Sequence, residues 1–187
     1  MTEFVDKEKI KKATSLLLEG IGENPKREEL IDTWKRRVPS MWEELSEGYR
    51  EVEKPDLKTF KTGHDEMVVK KDIKIFSLCE HHLIPFIGRM HIGYIPDGEI
   101  IGISKLTRYA QWHSRKLTNQ ESLTRNVSEG LVEETNISGA IVVLEARHLC
   151  EQMRGVESDG SMTKTRSATG LFEEDRYLKK EFLSYLK

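Results

Sequence analysis

Cysteine is scarce here: the 187 residues include two, Cys79 and Cys150. No second pair exists to complete an all-thiolate metal site. No secretory signal opens the chain, so a reducing, cytoplasmic setting is expected, with free thiols rather than a disulfide. Long hydrophobic runs are missing too. Stretches such as Ile141-Val142-Val143-Leu144 fall far short of the ~20 apolar residues of a membrane span. Neither sign of charge dominates: 30 Lys and Arg against 32 Asp and Glu leave a net −2. That balance excludes a generic nucleic-acid binder, which carries a basic surface. There is no low-complexity tract, no internal repeat and no GxxxxGK[ST] phosphate loop. What remains is one domain, or one domain with a helical extension, long enough to bury a core.

Both cysteines keep company with histidines. Cys79-Glu80-His81-His82 has the Cys-x2-His spacing that lets a tight turn present two ligands to one metal. Far downstream, His148-Leu149-Cys150 places two donors at i and i+2, on one face if the segment is a strand. Cys, His and Cys with an open fourth position match a catalytic zinc pattern. From spacing alone, two buried thiols remain the plain alternative. His64, His91 and His113 lie outside both segments and read as solvated.

The first fifty residues read as helical. Ile10, Ala13, Leu17 and Ile21 follow helical spacing, and Pro39 suits a first turn before Met41, Trp42 and Leu45. Glu51 to Gly63 is polar with little periodicity and reads as a linker or mobile arm. From Glu66 the character changes. Met67-Val68-Val69 with Ile73 to Phe76, and then Ile87 to Ile95, read as strands. Ser104 is a candidate cap for a helix carrying Leu106, Tyr109, Ala110 and His113, and Asn119 for one carrying Leu123, Val127 and Leu131. Gly139 to Arg147 is an apolar strand delivering His148 and Cys150 at its end. A last strand is expected within Ser161 to Phe172, and a helix from Glu173 to Lys187. Strands in pairs around grouped helices predict an α+β fold with an antiparallel sheet.

Together the motifs resemble the GTP cyclohydrolase I family. The matching residues are Asp65-Glu66-Met67, Ser77 to His82, Pro85-Phe86-Ile87-Gly88, Tyr94-Ile95-Pro96 and Gly102 to Leu106. Further on come Gln120-Glu121 before Leu123-Thr124, His148-Leu149-Cys150 and Met153-Arg154-Gly155. Any one is weak; their order and spacing are specific. They span Asp65 to Phe172 and, more loosely, the N-terminal helices.

The resemblance implies the tunnelling fold: an antiparallel sheet with helices packed on one face, plus N-terminal helices. Residues 1–64 would form the helical region and linker, and 65–187 the catalytic domain. The sheets of a homo-oligomer would join into a barrel, usually a decamer of two pentamers, with active sites at subunit junctions. The implied reaction turns GTP and water into 7,8-dihydroneopterin triphosphate and formate. Zinc would sit on Cys79, His82 and Cys150, although the same donors accept iron(II). His148 would protonate the purine's imidazole ring during attack at C8. His81 would move protons in ring opening or the ribose rearrangement. The alternative for either is an orienting role. Glu121 would accept both guanine N–H groups, with Gln120 touching the same edge. Lys105, Arg108 and Arg154 would hold the triphosphate, with Ser104 beside them.

The match has departures. Thr33-Trp34-Lys35-Arg36-Arg37-Val38 stands where the family carries Thr-Pro-x-Arg-Val, so either Arg36 or Arg37 takes the phosphate role there. Asn119 and Ser122 flank Gln120-Glu121, where Gln-Val-Gln-Glu-Arg is common. Thr163 to Ser167 departs from the usual Thr-Ser-Ala run. Rival readings are another enzyme of the fold, such as a pterin synthase or a deazaguanine nitrile reductase, and a non-catalytic zinc-stabilised binding module.

Overall fold

The structure, a computed structural model, describes residues 4–187. Asp6 starts α1 (Lys7–Gly20) by accepting the Lys9 N–H at 3.0 Å, one of the unpaired donors of a first turn. Next come α2 (Glu28–Asp32), a π-helical turn (Thr33–Arg37) and α3 (Val38–Leu45), with Pro39 in its first turn. Two 3₁₀ turns, Glu47–Tyr49 and Glu51–Glu53, follow.

The segment expected to be a linker then contains a strand, β1 (Thr59–Lys61). It pairs antiparallel with β4 (Glu99–Ile101), and Thr59 Oγ1 donates to Glu99 Oε2 at 2.6 Å. Three residues are too few to show a period, and the partner lies forty positions away.

The main sheet has the order β5-β2-β3-β6-β7. It consists of β2 (Val68–Cys79), β3 (Pro85–Pro96), β5 (Leu117–Thr118), β6 (Ile137–His148) and β7 (Thr163–Gly170). All pairings are antiparallel except the short parallel contact of β5 with the end of β2. The two strand pieces expected around Val68 and Ile73 are one strand, interrupted by a register shift between Lys70 and Ile73. Asp72 sits there at φ 59°, and its N–H is accepted by His91 Nδ1 at 3.3 Å. The bulge explains why the alternation broke in the sequence.

Two helices, α4 (Ile103–Ser114) and α5 (Gln120–Glu134), cover one face. Alternation along β6 divides two cores. Ala140, Val142, Leu144 and Ala146 join Leu106, Tyr109, Leu123, Val127 and Leu131. Ile141 and Val143 point the other way, onto Phe172 and Phe182. Phe182 belongs to the terminal helix α8 (Arg176–Tyr185), which follows α6 (Leu149–Gln152) and α7 (Leu171–Glu174). Its ring lies on Gly93, where a Cβ would come within 2.5 Å of it. The antiparallel α+β class holds, and α8 adds a small core on the far face.

Three local expectations change. Gly102, not Ser104, caps α4: β4 ends at Ile101, and Lys58 O accepts the Gly102 N–H at 3.0 Å, so the helix starts earlier. The C-terminal helix is broken, with Asp175 capping α8 through Tyr177 N and Leu178 N. His91 and His113 are buried rather than solvated.

His113 is the costlier of the two. Its ring is edge-on to Tyr109 and Trp112, and both ring nitrogens are buried without a hydrogen-bond partner. Burial, aided by the charges of Lys116 and Lys54, pushes its pKa down to about 3. A depressed folded-state pKa means that stability is complete above the unfolded value near 6.5 and is lost as pH falls toward 3. The loss should approach about 1.4 kcal/mol per pH unit below 6.5. His113→Phe removes this liability without breaking a hydrogen bond. Between pH 7 and 4.5 its thermal midpoint should therefore fall less than that of the unsubstituted chain. Equal falls would show that His113 does not drive acid instability.

Candidate metal and catalytic site

Four chain segments meet at one end of the sheet: the end of β2, the start of β3, the end of β6 and the start of α5. Cys79 closes β2, and a tight turn follows. Its N–H donates to Ile84 O at 3.0 Å, and its carbonyl accepts Leu83 N–H at 2.8 Å. Leu83, at φ 57°, completes the reversal. Phe86 on β3 pairs in register with His148, the last residue of β6. Their rings stack with centroids 4.9 Å apart and planes at 14°. Cys150 is not on the strand as spacing suggested. It lies in the helical turn α6, which swings it back toward Cys79.

The donor atoms of Cys79, His82 and Cys150 all lie within 4.8 Å of one another, and Cys79 Sγ to His82 Nδ1 is 3.9 Å. Tetrahedral zinc with ordinary Zn–S and Zn–N bonds wants donors about 3.5–3.8 Å apart, so the trio fits with a small closure. Burial, then the neighbouring Cys79, pushes the Cys150 thiol up, while Arg154 pulls it down. A bound divalent cation favours the thiolate form of a cysteine that ligates it. The cluster could hold a metal ion.

The cavity here is about 290 Å³ and is lined by these three residues with His81, Asn119, Gln120, Glu121, His148, Glu151 and Thr163. His148 is held below its ordinary pKa by burial, opposed by the charges of Glu121 and Glu151. Glu121 is exposed into the cavity in the first turn of α5. Gln120 is buried, and its amide is engaged by His148 Nε2, Leu144 O, Thr163 O and Thr165 Oγ1. That leaves it no amide hydrogen for the base edge expected beside Glu121.

Asn119, read only as a helix cap, does more. Its Oδ1 accepts Ser122 N–H at 2.7 Å, and its Nδ2 donates to Glu80 Oε1 at 2.7 Å. One side chain thus ties the Cys79–His82 turn to the start of α5. The cap was legible from residue type; the tether to Glu80 was not, because it is a long-range contact.

The phosphate candidates do not gather in the same place. Ser104 and Arg108 line a separate cavity with Lys70 and Gln111, and Lys105 shares the first turn of α4 with Ser104. Lys70 is nine residues before Cys79 on β2, about 30 Å away at the usual strand rise. Arg154 does lie near the metal cluster, where its charge is felt by Cys150. Arg36 is exposed in the N-terminal region and paired with Asp32 at 3.0 Å; Arg37 beside it is exposed as well.

This arrangement coincides with a full-length family match. The sequence profile of GTP cyclohydrolase I matches residues 10–187. The GTP cyclohydrolase 1 of Aquifex aeolicus (strain VF5) is 47% identical over 185 residues, covering 98% of each chain. That of Finegoldia magna is 45% identical over 178 residues, covering 95% of this chain and 96% of its own. The chain belongs to the GTP cyclohydrolase I family, and with it to the tunnelling fold. Among solved structures, an archaeosine synthase QueF-like protein in the apo form aligns with TM-score 0.47 and 15% identity. It covers 57% of this chain and 96% of its own, a likeness too low to decide anything.

If the cluster binds metal as its geometry allows, Cys79→Ser and Cys150→Ser should each drop bound divalent metal from about one per chain to near zero, since three ligands leave none to spare. Elemental analysis of purified protein checks this. Full occupancy in both variants would remove these thiols from the ligand set.

Proposed function

We propose that the chain is a GTP cyclohydrolase I, converting GTP and water to 7,8-dihydroneopterin triphosphate and formate. The observation that carries this is the meeting of the Cys79, His82 and Cys150 donors with His81, His148 and Glu121 around one cavity, in a chain that matches the family from residue 10 to its end. Zinc is the proposed metal. When bound, it supplies a Lewis acid that lowers the pKa of a coordinated water to about 7.

The chain's residues do the rest. Glu121 accepts the two adjacent N–H groups of guanine, a pair that adenine does not present. His148 delivers a proton to the purine's imidazole ring as C8 is attacked, and His81 moves protons during ring opening and the ribose rearrangement. Arg154, Lys105 and Arg108 meet the triphosphate, with Ser104 beside them and Arg36 or Arg37 from the N-terminal region. Arginine offers phosphate oxygens a bidentate fork.

The sheet's edges support assembly with further copies. Among the described residues, the outer edge of β7 has no partner strand, and β2 is paired on its outer side only at Leu78 and Cys79. Open edges invite pairing with further copies, and head-to-tail pairing can close into a ring. A decamer of two pentamers is the proposed form, in the cytoplasm, without nucleic-acid or membrane partners. No helix among the described residues is long and apolar enough to cross a membrane. The proposed division remains 1–64 for the helical region and 65–187 for the catalytic domain.

Incubation with GTP should produce the near-ultraviolet absorbance of a dihydroneopterin. His148→Ala should keep its metal yet lose turnover by about 10²–10⁴-fold, the range for a positioned acid–base group. No absorbance change with metal-loaded protein would favour the non-catalytic binding module.

The separation of Ser104 and Arg108 from the metal cluster supports a site completed by a neighbour. Arg108→Ala and Cys150→Ser should each be inactive alone and regain activity when co-assembled, because some junctions then carry neither lesion. No recovery in oligomers shown by mass to be mixed would place every element of the site in one chain.

A further inference from the structure

Gln120 opens α5 with a side chain that is 1% exposed. Its amide nitrogen lies 2.9 Å from Leu144 O, 3.0 Å from Thr163 O and 3.1 Å from Thr165 Oγ1. Two of those partners are carbonyl oxygens, which only accept, so the atom facing them must be the NH₂ group. A flipped amide would set its oxygen against both carbonyls. Oε1 therefore faces the other way, 2.7 Å from His148 Nε2. Because Oε1 only accepts, Nε2 must carry a proton, and the lone pair of the neutral ring lies on Nδ1.

The surroundings lock this choice. Thr165 Oγ1 lies 2.6 Å from Thr124 Oγ1 and donates to it, because the Thr124 proton is committed elsewhere. Thr124 in turn donates to the Gln120 carbonyl at 2.7 Å. Leu144 O and Thr163 O hold the amide nitrogen on their side, while Phe86 stacks on the imidazole.

We infer that Gln120 is a positioning residue that sets the tautomer of His148, holding a proton on Nε2 and leaving Nδ1 as the nitrogen that exchanges protons with the substrate. The inference rests on the proton-transfer role given to His148 above. In that step the Nδ1–H bond of the imidazolium breaks as an N–H bond forms on the purine's imidazole nitrogen. The ring returns to its neutral form with its proton still on Nε2, donated to Gln120 Oε1, and solvent restores the Nδ1 proton.

The test is nitrogen NMR on the full, zinc-loaded chain with ¹⁵N-histidine, the His148 signals being those lost in His148→Asn. For the neutral ring, a protonated-type Nε2 and an unprotonated-type Nδ1 are expected. Gln120→Met fills similar space but accepts poorly. It should keep zinc, blur the tautomer preference and lower kcat by about ten- to a hundredfold, with KM for GTP within about threefold of the original. A proton on Nδ1 in the unsubstituted chain overturns the inference and needs no variant to fold. So does a Gln120→Met protein with unchanged tautomer and kcat, and so does a loss confined to KM, which would return Gln120 to the base edge. If the chain shows the Nε2–H tautomer but turns over no GTP, the proposed function fails and the tautomer assignment stands.

Discussion

The pairing of Phe86 with His148 across β3 and β6 is the constraint on which the site depends. It brings the end of β6 level with the turn that joins β2 to β3. Cys150, two residues beyond His148, then lands beside Cys79 and His82. Strand pairing is unforgiving, because a slip of one residue sends every side chain to the opposite face. Register here is held by the apolar alternation of β6, with Ala140, Val142 and Leu144 on one face and Ile141 and Val143 on the other. The hydrophobic cores thus place the metal donors, although none of the three is a large apolar residue.

Around that register lies a web of polar contacts centred on the start of α5. Asn119 caps the helix and grips Glu80 of the metal-binding turn; Gln120 grips His148. Further along α5, Ser128 and Thr124 meet Ser167 and Thr165 of β7. Buried hydrogen bonds contribute modestly when made and cost more when broken. Such a web therefore selects one arrangement more than it adds stability. α5 acts as the common anchor for the Cys79–His82 turn and for His148, which lie far apart in the chain.

The candidate site residues gather in two places. Thiols, imidazoles and Glu121 occupy one end of the sheet, while Ser104 and Arg108 sit by Lys70 near the other end of β2. Among the described residues, the outer side of β7 and most of the outer side of β2 have no partner strand.

Much of this was legible in the residues. The helices, the long strands, the turn after Cys79 and the choice of Cys79, His82 and Cys150 as candidate donors are matters of local period and motif spacing, which a sequence carries openly. Asn119 as a cap belongs there too. The β1–β4 pair, the bulge at Asp72 and the helical turn under Cys150 were not legible, since each depends on a partner distant in the chain. The burial of His91 and His113 belongs with them, because a histidine's letter does not say what packs over it. Gln120 shows the division best. Its place beside Glu121 marked it as a site residue, but its task depends on Leu144, Thr163 and His148. By itself the sequence determined which donors and acids are present and at what spacing. Tertiary structure alone decided which atoms they face, because hydrogen-bond direction is fixed by partners that only folding brings within 3 Å.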